Sequence, residues 1–587
     1  MTSNSSGAFH FRATQILLAI FLATTSLLAA EDSPRWWPTQ AMPRAILRVP
    51  NPPSLDRQMM LQSLAGLAAK NVNAGRCDTL VWVDDHNPNL EEWLTRLRAA
   101  HPELQDAGTN NLWQLADRLT QQGIVKGYIL YRSDKSVNVA TSLAGILDGI
   151  LISEDLEPQA KKHGLKLLFD ARDKSDSWCF ETCKDHFNRR LLCMQDPKKP
   201  HARDLAIAQQ AFTFYDDDHL APTVVNWLEP LSPILGWNAG DEFKNTDLLT
   251  RYGDFQTDTD WSINLPVLMA GTESFDSPRM KSLDPATINW QDTRDAVSFV
   301  ETDGDNVQWL LGNFFLNNTN YWRDPTRGKI PFGWSCCFAQ LSQLGPEALA
   351  YAAATRTTND SLIEMGGGYF YPDHFGMNRP NRWELLARHT QRTWHWMKET
   401  NTRIIGFDVA QLDSPDARKA YETIAAQTDG LLAIFAFQYY PYEGGAGRIF
   451  WVKDRNGLDV PVITARYSIW EHSNERDRSG TPAKVAREIQ QTAAKSLPAQ
   501  SPRYDWVICH AWSYFKKSPG PDEDAENMPQ ENAPAQGGVR GYLPVTWCAD
   551  RLPTTIRVVA PEELAWRIRM QHNPAQTKQF MATFQSR

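Results

Sequence analysis

The chain has 587 residues, a net charge of −9 and 22 tryptophans. That length is too great for one core, so about two to three domains are expected. The acidic balance excludes the basic face that nucleic-acid binding requires. Tryptophan excess suits a carbohydrate partner, because indoles stack on the apolar C–H faces of sugars, although large cores consume tryptophan too.

Residues 1–30 read as a secretory signal peptide. His10 and Arg12 precede an apolar run from Ile16 to Leu28, and Ala29-Ala30 meets polar Glu31-Asp32. Cleavage is expected after Ala30, giving a secreted or periplasmic protein. The run falls short of the roughly 20 apolar residues of a membrane span, and no later stretch reaches it. Of the eight cysteines, Cys179, Cys183 and Cys193 are close enough in sequence for one local disulfide, whereas Cys336-Cys337 read as buried thiols.

Residues 31–285 alternate strand-like and helix-like runs, which predicts an N-terminal α/β companion domain. Ala45–Val49, Thr79–Val83, Gly127–Tyr131 and Gly149–Ile152 read as strands; Leu55–Ala69 and Ala202–Phe214 have helical periodicity. The acidic clusters Asp84-Asp85-His86, Asp216-Asp217-Asp218-His219 and Gly240-Asp241-Glu242 are expected to be solvated turns. Ile234–Asn238 and Pro266–Gly271 read as buried strands whose polar ends could wall a cleft.

Residues 286–575 are better ordered as a pattern. Strands are predicted at 296–300, 332–337, 362–365, 403–407, 431–437, 461–465, 505–509 and 555–559, most of them separated by helices. Pro346, Pro482 and Pro561 sit at helix starts, where a missing N–H costs nothing. The expected fold is a (β/α)8-like barrel, preferred to an open doubly wound sheet. Ser518–Gly538 reads as a mobile loop over the mouth or a disordered insertion, and residues 576–587 as a polar, fraying tail.

In a barrel, function gathers where the strands end. The third strand runs into Gly366-Gly367-Gly368-Tyr369-Phe370-Tyr371-Pro372-Asp373-His374. Glycines past a strand let backbone turn sharply or approach a ligand, and the aromatics that follow offer flat faces and hydroxyls. Gly366, Gly368, Tyr369, Tyr371 and Pro372 reproduce Gly-x-Gly-Tyr-x-Tyr-Pro. In this the chain resembles the GxGYxYP family, which is designated as glycoside hydrolases and joins an N-terminal companion to a C-terminal domain bearing the motif. The resemblance implies carbohydrate work without naming a sugar or a linkage.

Glycoside hydrolysis usually needs one protonated and one ionised carboxyl group. The strand ends supply Asp303 and Asp305 on one side and Asp408 and Glu443 on the other, so the catalytic pair is expected to be Asp303 or Asp305 with Asp408 or Glu443 across the mouth. Period two would point Asp303 and Asp305 alike, and close carboxylates push one pKa upward. Substrate contacts are expected from Gly366, Gly368, Tyr369, Tyr371, Asp373 and His374 on the motif loop. Tyr440, Arg466, Glu471, His510 and Trp512 are expected to add to them from later strand ends. This chemistry needs no cofactor. The alternative is a metal-dependent carbohydrate deacetylase, with Asp303, Asp305, Asn306 and His374 around a divalent ion. A non-catalytic glycan-binding protein is the other. His389 and His395 are expected at the surface of their helix.

Overall fold

The computed structural model describes residues 33–273, 275–439, 445–470, 477–495, 502–517 and 537–585. The first half builds three small parallel sheets. Strands β1 (Ala45–Pro50), β2 (Thr79–Asp84) and β3 (Gln105–Thr109) pair in the order β2-β1-β3. Strands β4 (Gly127–Tyr131), β5 (Gly149–Ser153) and β6 (Leu167–Asp170) pair as β5-β4-β6. Strands β7 (Leu192–Met194), β8 (Phe212–Phe214), β9 (Pro233–Gly236) and β10 (Phe255–Asp258) pair as β10-β9-β7-β8. Helix Leu55–Asn73 is buried on nearly every side, which explains its continuous apolar sequence.

Two elements of this half differ from expectation. The run 202–214 divides into the helix Arg203–Ala208 and strand β8, because Gln210 takes a positive φ of 54° between them. Pro266–Gly271 is not a strand but part of the helix Leu265–Met269, with Pro266 in its first turn. All eight cysteines are free thiols, so the expected local bridge among Cys179, Cys183 and Cys193 is not made.

The second half forms one large curled sheet. Its strands are β11 (Asp295–Glu301), β12 (Phe332–Cys336), β13 (Asp360–Met365), β14 (Ile404–Val409), β15 (Ala433–Gln438), β16 (Ile449–Lys453), β17 (Asp459–Thr464), β18 (Tyr467–Ile469), β19 (Ser479–Gly480), β20 (Tyr504–Cys509) and β21 (Ile556–Val558). The order is β16-β17-β15-β14-β13-β12-β11-β20-β18-β19, with β21 paired to the start of β11. All pairs are parallel except β16 with β17. Each of the eight predicted strands is present, with a π-helical turn over Leu310–Phe314 in the first crossover. The sheet is a curled half-barrel whose path is open, and the regular eight-stranded ring is not the pattern its pairing records.

Most of the expected tail is ordered as a helix. Pro574–Gln585 is helical, and Phe580 packs against Trp566 at 5.0 Å between ring centroids. Among the described residues no helix is long and apolar enough to cross a membrane.

The halves meet at the motif loop. Tyr369 N–H donates to the Gln256 carbonyl and Gln256 N–H to the Tyr369 carbonyl, both at 3.0 Å, so the loop adds an antiparallel rung to the edge strand β10. Trp93 Nε1 donates to the Leu311 carbonyl at 2.8 Å, and Trp36 N–H to Gln343 Oε1 at 2.9 Å.

Candidate active site

The motif begins with three residues in the region that favours glycine, at φ 63°, 79° and 144° for Gly366, Gly367 and Gly368. A Cβ on Gly367 would lie 2.6 Å from Thr393 Oγ1 and 2.8 Å from the Trp36 ring, and one on Gly368 would strike Phe255. The turn is therefore both bent and pressed between neighbours. Glu364 Oε1 accepts the Gly367 N–H at 3.0 Å, while His389 Nε2 donates to the Gly366 carbonyl at 2.8 Å. His389 is thus buried rather than exposed, and burial pushes its pKa down to about 3.

Beyond the glycines the loop splits in purpose. Tyr369 O–H donates to Glu242 Oε1 at 2.6 Å and lies 3.1 Å from the Tyr371 hydroxyl. Tyr371 is wholly buried, stacked on Phe243 at 5.0 Å. Asp373 accepts the Ala410 and Gln411 N–H groups at 3.0 and 2.8 Å, fastening the loop to the end of β14. His374 Nδ1 pairs with Asp247 Oδ1 at 2.5 Å. Asp373 and His374 therefore hold the loop in place and do not face the cleft that Tyr369 lines.

That cleft is a cavity of about 230 Å³ between the two halves. Its acidic lining is Asp303 and Asp305 from the loop after β11, with Glu242, Asp258 and Asp260 from the first half. Trp237, Tyr369 and Trp512 provide the rings. Asp303 has a positive φ of 65°, so it and Asp305 reach one cavity through a bent loop and not through strand periodicity. Gly304 between them touches the Ser335 backbone, and Cys337 N–H donates to its carbonyl at 2.8 Å. Only a residue without Cβ fits there.

Asp303 accepts Trp512 Nε1–H at 2.7 Å on Oδ1 and the Thr302 hydroxyl on Oδ2, donors that suit a carboxylate. Burial, and next the charge of Asp303, push the Asp305 pKa up to about 8. Asp258 is raised well above the carboxylate range by burial, then by Asp305, Asp260 and Glu242. Asp408, at the end of β14, is raised by burial and then by Asp305, Glu242 and Asp303. Burial raises Glu242 as well, against its hydrogen bond from Tyr369. Asp258 Oδ1 and Asp408 Oδ1 are buried without a hydrogen-bond partner. Asp260 is tied down, accepting from Lys199 and, at 2.9 Å, from Gln308 Nε2. The result is a set of carboxyl groups too close and too dry to be ionised together.

Of the residues expected from sequence, Asp303, Asp305, Tyr369 and Trp512 share the cavity, and Asp408 lies within electrostatic reach of it. Arg466 does not join them: its Nε pairs with Asp505 Oδ1 at 2.5 Å, at the start of β20 and away from the strand ends. His510 pairs with Ser513 Oγ at 2.8 Å and lies beside Trp470. Tyr440, Glu443 and Glu471, like the loop 518–536, lie outside the described residues. Among the described residues, no group of three or more His, Cys, Asp or Glu side chains is placed to hold a metal ion.

The first half supplied what sequence reasoning passed over. Gly240-Asp241-Glu242 is not a solvated turn throughout: Asp241 caps the helix Glu242–Arg251, accepting Lys244 N–H at 2.9 Å, and that cap turns Glu242 into the cleft. Asp258 and Asp260 close a strand, Phe255–Asp258, whose polar residues are all buried. The signal available was position, since a buried strand ending in acids mirrors the end of β11.

Residues 295–517 match the family model described as "GxGYxYP putative glycoside hydrolase C-terminal domain". Residues 125–187 match the GxGYxYP_N second domain and residues 188–270 the GxGYxYP third domain. The chain belongs to the GxGYxYP family. A crystal structure described as a "putative hydrolase" from Bacteroides thetaiotaomicron VPI-5482 superposes with a TM-score of 0.73. It has 22% identity over 92% of this chain and 97% of that one, a likeness of fold. No curated protein is similar enough to register a match.

Proposed function

We propose that the protein is an exported glycoside hydrolase in which Asp305 is the general acid and Asp303 its ionised partner. The observation that carries this reading is their presence in one cavity, where Asp303 accepts two hydrogen bonds and burial beside it pushes the Asp305 pKa up to about 8. In this scheme the Asp305 proton goes to the glycosidic oxygen as the bond to the anomeric carbon breaks. Asp303 stabilises the developing positive charge, and a water molecule supplies the hydroxyl that bonds to that carbon and the proton that restores Asp305. Glu242 and Asp258 face the same space and offer hydrogen bonds to sugar hydroxyls, and Trp237 and Trp512 give the rings a surface to lie on. No cofactor is needed for these steps.

The curled sheet supports a (β/α)8 variant: β17 and β18 lie towards opposite ends of the sheet path yet are joined by Ala465 and Arg466 alone. One bent segment then serves both ends. The same reading takes residues 31–285 as a companion that completes the cleft, and residues 1–30 as the export signal.

The test is to incubate protein lacking residues 1–30 with a panel of oligo- and polysaccharides, with and without EDTA, and to read products by mass spectrometry. Shortened products, unchanged by EDTA and absent with Asp303→Asn and Asp305→Asn, are expected. Loss of acetyl mass without shortening would move the reaction to de-esterification.

A further inference from the structure

A second cavity is larger than the acidic cleft. It has a volume of about 830 Å³ and lies behind the motif loop, between the N-terminal segment, the first half and the helix Arg382–Thr400. Four arginines line it: Arg35, Arg190, Arg388 and Arg392. Its carboxylates are Glu229, in an exposed pair with Arg190 at 2.6 Å, and Glu273, whose charge acts on Arg35.

Arg388 and Arg392 are left over. They lie four apart on one helix face, continuing a stripe from Asn381 and Leu385 that also lines the cavity. Among the described residues neither makes a hydrogen bond or ion pair. Burial, and next the charges of Arg388 and Arg190, lower the Arg392 pKa to about 10, still far above neutrality. Like charges at this spacing destabilise a helix. The indole N–H groups of Trp36 and Trp37, at 6% and 2% exposure, are buried without an acceptor, and both residues line the same cavity. Two guanidinium forks without partners on one wall of this space make a site suited to oxygen anions.

We propose that this cavity binds an oxyanion-bearing saccharide, a sulfate, phosphate or carboxylate ester or acid, at a site separate from the acidic cleft. The volume is that of a small-molecule pocket and exceeds what an inorganic ion fills. The saccharide part rests on the reading of the protein as carbohydrate-active; the oxyanion part rests on the arginines alone. Trp36 also packs on His389, at 5.1 Å between rings, and His389 holds Gly366. The occupied site would therefore back the motif loop.

The experiment is thermal unfolding and calorimetric titration of the protein lacking residues 1–30. A sulfated tetrasaccharide, its desulfated counterpart and inorganic sulfate are each added. The sulfated sugar should raise Tm and bind with an affinity that falls as salt rises; the desulfated sugar should do neither, and inorganic sulfate should need at least a tenfold higher concentration. Arg388→Gln/Arg392→Gln should lose at least tenfold in affinity without a lower Tm in the absence of ligand, and Asp303→Asn should bind as wild type. Binding that survives the double arginine variant, or that vanishes with Asp303→Asn, overturns the proposal. Equal potency of inorganic sulfate overturns the saccharide as the source.

Discussion

The motif loop separates two cavities that answer the same problem in opposite ways. In front, Asp258, Asp303, Asp305, Asp408 and Glu242 crowd one another, and burial with mutual repulsion pushes up the pKa of Asp258, Asp305, Asp408 and Glu242. Behind, Arg388 and Arg392 crowd one another, but a guanidinium does not give up its proton near neutral pH. Crowded acids relieve repulsion by holding protons, and a held proton is a reagent. Crowded arginines can be relieved only by a counter-ion, which is the basis of the binding proposed for them. On the readings proposed above, the difference separates chemistry from recognition within one fold.

Four experiments bear on that contrast. The largest effect expected is from Asp303→Asn, which should lower kcat by about a thousandfold while circular dichroism and Tm stay near wild type. Full activity in this variant would remove the carboxylate from the reaction. Next, Gly367→Ala should disturb both cavities at once. The left-handed φ and the clash with Thr393 and Trp36 should cost about 2–4 kcal/mol, read by denaturant unfolding.

A third test uses the shared proton. The alkaline limb of kcat/KM should follow Asp305 near pH 8, and Glu242→Gln should shift it to lower pH by removing a like charge. An unmoved limb would uncouple the two groups. The sign for stability follows from the same raised values. The folded state binds more protons than the unfolded one between about pH 4, the usual carboxylate range, and pH 8. Tm should therefore fall as pH rises through that window. The smallest effect is on the other side of the loop, where Arg388→Gln alone should change stability by about 0.2–0.5 kcal/mol in the stabilising direction, lessened by added salt.

How much of this was written in the sequence differs between the halves. Strand ends β11 and β13 were legible, because long apolar runs stop at Asp303 and at the glycines, and the motif itself marks Tyr369. Glu242 was hidden because a helix cap and a solvated turn share the same residues, Gly-Asp-Glu. Asp258 was hidden because Phe255–Asp258 is a buried strand written in polar letters, its donors and acceptors satisfied in part by the partner strand β9 and by the motif loop. Arg466 misled for a different reason: it does follow a strand, but the chain bends there and carries it to the start of β20. His389 and the C-terminal helix were misjudged through their neighbours, since burial of a polar residue depends on what covers it.

The rung between Gln256 and Tyr369 has a bearing on how this protein can be divided. It joins a residue of the first half to the residue that gives the motif its central tyrosine, and Glu242 then receives that tyrosine's hydroxyl. Between Met269 and Asp295 the described chain holds only one short helical turn, Pro285–Thr287, which makes an inviting place to cut. A fragment starting there would carry the signature sequence yet lack both the strand that shapes it and half the acids it faces. Such a fragment is not a transplantable catalytic module: recombining the motif-bearing half with foreign partners should yield folded but silent chimaeras unless the edge strand travels with it.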